Sequence, residues 1–318
     1  MKRKSLIRSI PAVLFLMIFC AGCETEEPAE WSTVESVTGE SLRCVWGLSG
    51  TDIFAVGGAG TILHSDGSDW TAMNSGVDIT LYRAWASSSS DAYVVGGDYS
   101  SGEGTMLHYD GTSWSDVPGM AGYGMLAYVW GTSADDIFAV SAADGSIIHY
   151  DGNEWSAMES GTNQALSGIW GTSGTDVFVV GFGGTILHYD GTDWTAMDIG
   201  TTLNFNNVWG SSNRDVYAVG GDFASGSGIL MHYDGSSWTE IESFDKILFG
   251  VWGTSARDVF AVGGNVVEGT PIILHYDGKT WTEMESNAQN WLSGVWGTSG
   301  TDVYVVGGGG TILHYGKI

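Results

Sequence analysis

The chain has 318 residues, 43% of them hydrophobic, with 49 Gly, 15 Trp and only 4 Pro. That apolar content excludes a disordered chain and suffices for a sizeable core, in one or two domains by length alone. With 37 acidic against 11 basic residues the net charge is −26, which excludes nucleic acid as a partner, because binders of phosphate backbones must present Lys and Arg.

The first element in chain order is a leader. Lys2, Arg3, Lys4 and Arg8 form a basic head, and an apolar run follows from Ile10 to about Phe19. The run is shorter than the ~20 residues a spanning helix needs, so head and run together read as a secretory signal. Its end, Phe19-Cys20-Ala21-Gly22-Cys23, resembles a bacterial lipobox. The resemblance implies cleavage after residue 22 and lipidation of Cys23; an ordinary cleaved signal with an incidental cysteine is the alternative. Glu24 follows, not the Asp that retains many enterobacterial lipoproteins at the inner membrane, so the resemblance favours the outer membrane without fixing the leaflet. Removing residues 1–22 takes away four basic residues and no acid, leaving 7 basic against 37 acidic and a net charge of −30. Anionic headgroups repel such a surface, so membrane attachment is expected only through the lipid anchor. Cys44 is then the one remaining thiol, and no internal disulfide is expected.

After a short acidic tether, residues 23–30, one unit dominates the chain. Val-Trp-Gly-Thr-Ser-x-x-Asp-Val-Phe-x-Val-Gly-Gly and close variants recur with Trp46, Trp85, Trp130, Trp170, Trp209, Trp252 and Trp296, a period of about 42 residues. Each copy leads to an Ile-Leu-His-Tyr-Asp-Gly-x-x-Trp-like stretch whose Trp falls at 70, 114, 155, 194, 238 and 281. The last copy stops at Leu313-His314-Tyr315-Gly316, and the missing piece stands at the other end, where Trp31 and its neighbours match Trp194-Thr195-Ala196.

Each copy reads as four strands. In the fourth these are Leu166–Trp170, the continuous apolar run Val177–Val180, Thr185–Tyr189 and a strand starting at Trp194, with Asp190-Gly191 as a tight turn. Four-stranded units of this length, rich in Gly and aromatics, specify an all-β chain: a seven-bladed β-propeller of four-stranded antiparallel blades over residues 31–318. The strand around Trp31 is expected to complete the last blade and close the ring.

Repetition also bears on chemistry. All seven histidines, His64, His108, His149, His188, His232, His275 and His314, share one repeat position, and a turn aspartate recurs equally at 52, 91, 136, 176, 215, 258 and 302. A catalytic or metal site needs one unique constellation, so each His is expected to hydrogen-bond inside its own blade, to that Asp or to backbone. Gly57-Gly58-Ala59-Gly60 and Gly307 to Gly310 lead into strands and lack the residues that complete a phosphate loop. Calcium-loop spacing is absent as well. No metal, cofactor or catalytic residue is assigned.

Binding residues are sought where the copies differ. Turns between strands one and two, and three and four, are short and nearly invariant; the opposite face carries the two-to-three loops and the blade-to-blade connections, which vary. Enlarged loops place Asp98 and Tyr99 in blade two, Asp222 and Phe223 in blade five, and Glu268 in blade six. The starts of the inner strands bear Arg43, Tyr82, Arg83, Tyr128, Asn206, Asn207 and Phe249, against Ser-Gly in blades four and seven. Trp291, outside the repeat pattern, and Tyr123 lie in blade connections. Together these residues suggest a site for an envelope protein or a glycan on a monomeric, non-catalytic scaffold. The alternative is a carbohydrate-active hydrolase or lyase using Asp98, Asp222 and Glu268.

The unit Val-Phe-Val-Val-Gly-x-Gly-Gly-Thr-Ile-Leu-His-Tyr-Asp-Gly-x-x-Trp resembles the repeats of BNR/Asp-box propellers, in particular photosystem II assembly factor-like repeats, over residues 31–315. Asp190-Gly191-Thr192-Asp193-Trp194 is one residue shorter than the usual Asp-box. Kelch repeats are the runner-up, through Val-Gly-Gly, Tyr-Asp and Trp-x-x-Met. Both resemblances imply a propeller and neither implies one activity. Sialidases, which share the Asp-box fold, carry an Arg triad at the channel mouth; of Arg43, Arg83, Arg214 and Arg257, the last two fall in turns of the invariant face, so that clamp is incomplete.

Overall fold

A computed structural model of the chain describes residues 29–98 and 100–317. The leader, the lipidation candidate Cys23, most of the tether and Tyr99 lie outside the described residues. The rest forms seven four-stranded antiparallel sheets, one per repeat. Their inner strands are Leu42–Ser49, Thr80–Ser88, Leu126–Ser133, Leu166–Ser173, Asn204–Ser212, Ile247–Ser255 and Leu292–Ser299. In blade four, Leu166–Ser173 is followed by Asp176–Gly181, Ile186–Tyr189 and Trp194–Ala196, the order the repeat pattern predicts. Helical structure among the described residues is limited to two 3₁₀ turns, Met120–Tyr123 and Gly308–Gly310.

The ring closes as the split repeat requires. Glu30–Thr33 adds antiparallel to Ile312–Gly316, the third strand of blade seven, with Trp31 opposite Tyr315 and Thr33 opposite Leu313. Trp31 is buried, its ring 5.0 Å from that of Tyr315. The same Trp–Tyr contact recurs at Trp114–Tyr109 (5.1 Å) and Trp194–Tyr189 (5.0 Å). The N-terminal strand thus takes over the packing task of the outer strands in blades two to six.

The core lies between blades rather than on the axis. Phe138, Val140 and Ile147 of blade three, for example, pack against Leu166, Ile169 and Val177 of blade four, all nearly inaccessible. The Trp-Gly dipeptide of six inner strands has a matching explanation: the indole of one blade lies over the glycine of the next, with Ala86 standing at that position in blade two. A Cβ on Gly47 would come within 2.7 Å of the Trp296 ring, across the closing seam, and one on Gly171 within 2.8 Å of Trp130. At those six positions the close stacking of the blades leaves no room for a side chain under the indole.

The histidines hold the opposite end of the blades. Every one places Nε2 2.7–2.8 Å from Oδ1 of its blade's turn aspartate, from His64–Asp52 to His314–Asp302. In six blades a hydroxyl from the inner strand donates to the second oxygen of the same carboxylate: Ser87, Thr132, Thr172, Ser211, Thr254 and Thr298. Blade one has Leu48 there instead, 41% exposed. Each imidazole also lies against an aromatic of the second strand, as His149 does against Phe138 at 4.2 Å. In those six blades His, Asp and hydroxyl therefore tie three consecutive strands together at one end.

Candidate functional site

At the other end, every inner strand carries a bulge. Leu42 pairs with Gly57 and Cys44 with Val56, so Arg43 is an extra residue with no partner in the ladder. The same two-against-one step recurs in all seven blades and makes Tyr82, Ala127, Ser167, Asn206, Phe249 and Ser293 the extra residues of blades two to seven. A bulge turns one side chain out of the alternation of the strand. Here all seven bulge residues line one cavity of about 360 Å³ at the channel mouth, on the variable face. The scaffold thus presents one residue per blade to a common space, and the residue type at that position varies around the ring.

Several bulge side chains also stitch neighbouring blades. Ser167 Oγ donates to the Phe205 carbonyl, Asn206 Nδ2 to that of Leu248 (2.8 Å) and Ser293 Oγ to that of Leu42 (2.8 Å). The rim is consequently fixed by short cross-blade bonds rather than by loops.

One side of the cavity is aromatic. Phe182 of blade four, Phe223 of blade five, Phe249 of blade six and Trp291 of blade seven follow one another with ring separations of 6.3, 6.3 and 6.0 Å. Phe223 is half exposed on the crest of this crescent. The next position around the ring is cationic: Arg43 Cζ lies 4.9 Å from the Trp291 ring centroid. Arg83 follows, with Nη1 donating to the Arg43 carbonyl (2.8 Å) and the Tyr82 carbonyl (2.9 Å). Met125, Ala127 and Ala142 leave the blade-three side low and apolar. Among the described residues, no Asp or Glu lines the cavity.

Beneath the mouth the channel is plugged. The Arg83 guanidinium lies over the Tyr128 ring at 5.0 Å, and the Tyr128 hydroxyl reaches across to Asn207 Oδ1 at 3.4 Å. Asn207 is buried and held in turn by the Val208 N–H (2.7 Å). Enclosure pushes the Tyr128 phenol above its ordinary pKa, with Arg83 pulling the other way. The Cys44 thiol, on the same tier, is likewise raised by burial and drawn back by Arg83. Below this plug the seven inner-strand Trp residues line a cavity of about 210 Å³.

The candidate residues therefore separate into three groups. Arg43, Tyr82, Arg83, Asn206, Phe223, Phe249 and Trp291 come together at the mouth, and Tyr128 and Asn207 form the plug with Arg83. Asp98, Asp222 and Glu268 do not line the cavity. Asp98 accepts from the Ser100 N–H (2.8 Å) and hydroxyl, and Asp222 from the Ala224 N–H (2.8 Å), so each closes its own loop. Those backbone donors hold both carboxyls below the usual carboxylate range. Tyr123 packs with Trp85, Met120 and Leu126 in the core between blades two and three. Phe182 was not singled out from sequence; its signal is an aromatic standing where the equivalent two-to-three turns of blades one and seven have Gly58 and Gly308.

No family model matches the chain, and no curated protein does. Among solved structures, YCF48 bound to a D1 peptide superposes with a TM-score of 0.69 at 15% identity, covering 92% of this chain and 98% of that one. The WD40 propeller domain of Doa1 gives 0.69 at 10% identity over 92% and 98%. The extracellular domain of the one-component system BT4673 from B. thetaiotaomicron gives 0.67 at 12% identity, over 90% of this chain and 40% of that one. At these identities the likeness is one of fold, a seven-bladed propeller shared by proteins of unrelated roles.

Proposed function

We propose that the chain is a non-catalytic scaffold lipoprotein of the bacterial cell envelope, anchored through Cys23 and binding a protein partner at the mouth of the propeller. The observation that carries the binding role is the bulge ring. Seven blades otherwise built alike direct seven side chains, six of them polar or aromatic and one alanine, into a single cavity. Stability alone would be served equally well by seven copies of one residue. The YCF48 structure with its bound D1 peptide supports the reading, since a propeller of this architecture there accommodates a protein segment. Asp98 and Asp222, on which hydrolysis would rely, are ionised anchors of their own loops, which favours binding over catalysis. The leader and Cys23 support the envelope location.

Site-specific photocrosslinking in cells tests the reading. A photoreactive residue at Phe223, on the aromatic crest, is expected to capture a protein adduct, whereas one at Asp193, in a hairpin of the invariant face, is not. Equal adducts at both positions, or none at Phe223, would overturn it. For the anchor, Cys23→Ser is expected to move the protein from the membrane to the soluble fraction and to abolish incorporation of labelled fatty acid.

A further inference from the structure

We propose that the mouth cavity recognises a carboxylate carried beside an aromatic or large apolar side chain on an extended segment of the partner protein, an inference that rests on the binding role above. Three observations converge on this chemistry. First, the cavity is two-sided: four aromatic rings from Phe182 to Trp291 form one wall, and the guanidinium groups of Arg43 and Arg83 stand next to them in the ring. An occupant that satisfies both walls must be apolar at one end and anionic at the other.

Second, charge is distributed against the average of the molecule. The chain carries 37 acidic residues, yet none among the described residues lines this cavity, and two of the four arginines beyond the leader do. The other two, Arg214 and Arg257, lie at the opposite end, beside the hairpin glycines Gly235 and Gly278. A cationic concavity in an acidic surface focuses a single negative group while the surroundings repel extended polyanions. That contrast selects one carboxylate in an otherwise neutral or basic segment, rather than a phosphate-rich chain.

Third, the cationic side is built rather than incidental. Arg83 is fixed by two backbone carbonyls and by the Tyr128 ring beneath it, and no carboxylate among the described residues lies within ion-pair distance of it. A planar guanidinium positioned in this way pairs well with a carboxylate. At about 360 Å³ the cavity is near the lower end of the roughly 300–1,000 Å³ typical of ligand pockets, room for one or two side chains and not for a folded domain.

The test uses the full chain and two capped dipeptides, acetyl-Phe-Glu-amide and acetyl-Phe-Gln-amide, followed by saturation-transfer NMR. The glutamate probe is expected to bind at least tenfold more tightly than the glutamine probe. Arg43→Gln, with folding verified by melting temperature, is expected to erase that difference. Phe223→Ala, at a half-exposed position outside the blade core and with folding verified in the same way, is expected to weaken the glutamate probe several-fold. Equal binding of the two probes, or absence of glutamate-probe binding, would overturn the proposal. If the Phe223 crosslink nevertheless persists, only the assigned ligand chemistry fails; if the crosslink is lost as well, the binding role itself fails. A phosphorylated probe, acetyl-phosphotyrosine-amide, binding more tightly than the glutamate probe would overturn the choice of carboxylate.

Discussion

At one end of each blade the same side chains recur: Thr172, Asp176 and His188 in blade four, with counterparts around the ring. At the other end the equivalent bulge position holds Arg43, Tyr82, Ala127, Ser167, Asn206, Phe249 and Ser293. The backbone is repeated at both ends; only the side chains differ in how far they repeat. Where a residue serves its own blade, nearly every blade keeps it, because each blade must satisfy its own partly buried polar groups. Where residues converge on a shared space, identity is free to differ and the combination acquires meaning. A histidine beside an aspartate belongs to the first class despite its catalytic look, and an unremarked serine or alanine at a bulge can belong to the second.

The seam where the ring closes is the sharpest place to break this comparison. Trp31→Ala removes a buried ring from the strand that completes blade seven, at a cost of about 3–5 kcal/mol for a large-to-small core change. The melting temperature is expected to fall on the order of 10 °C. Hydrogen exchange is expected to rise first along Ile312–Gly316, which becomes an edge strand, while blade four stays protected. Uniform exposure of all blades would show that closure contributes no local stability.

Next in size is the repeated end itself. Asp176→Ala leaves His188 and Thr172 without their shared acceptor and is expected to cost roughly 1–3 kcal/mol. Crosslinking from Phe223 is expected to be unchanged. Phe223→Ala reverses the pattern: stability within about 0.5 kcal/mol of the parent, as for most exposed positions, and the adduct captured from a photoreactive residue at Tyr82, across the same cavity, lost. Thermal melts and crosslinking yields on the two variants measure whether the ends are separable.

Blade one supplies a natural defect. Leu48 replaces the hydroxyl that donates to the turn carboxylate in the other six blades, so Asp52 lacks that donor. Leu48→Thr is expected to stabilise the chain by roughly 0.5–1.5 kcal/mol, the net worth of one hydrogen bond, since the leucine is partly exposed and gives up little burial. Thr172→Leu is expected to do the reverse. A neutral result for both would mean that the hydroxyl is incidental to the His–Asp pair.

These contrasts also mark what was legible in the sequence. The seven blades and the split last blade could be read from it, and so could a within-blade role for each His, with Asp or backbone left open as its partner, because repetition within one chain exposes positions under a common constraint. The mouth residues were legible where copies differed in type, as at Arg43 and Phe249. The bulge that aims them was hidden: it occurs in every blade at the same place and changes no spacing between one inner Trp and the next. Phe182 escaped notice because its loop kept the length of its counterparts, which drew attention to the longer loops instead. Asp98 and Asp222 show the opposite difficulty. An aspartate that caps a loop and one that performs acid–base work are the same letter, and only the donors around it tell them apart.

The smallest expected effect concerns the hairpins of the invariant end. Asp234 accepts hydrogen bonds from the Ser236 hydroxyl (2.6 Å), the Ser236 N–H (2.8 Å) and the Ser237 N–H (2.9 Å). These donors, the hydroxyl foremost, hold its carboxyl down to about 2. The folded value lies below the unfolded one of roughly 3.9, so the group binds its proton more readily when the chain is unfolded. The stability it contributes is therefore complete above about pH 4 and is lost as the pH falls towards 2. Protonation at low pH also relieves the repulsion of an acidic chain, which shifts parent and variant alike; the informative quantity is their difference. Asp234→Ala is expected to melt slightly below the parent at pH 7, with the gap closing between pH 4 and pH 2. A gap that stays constant across that interval would mean that the hairpin is held by its glycine geometry, with Gly235 at a φ of 90°, and not by the charge of its aspartate.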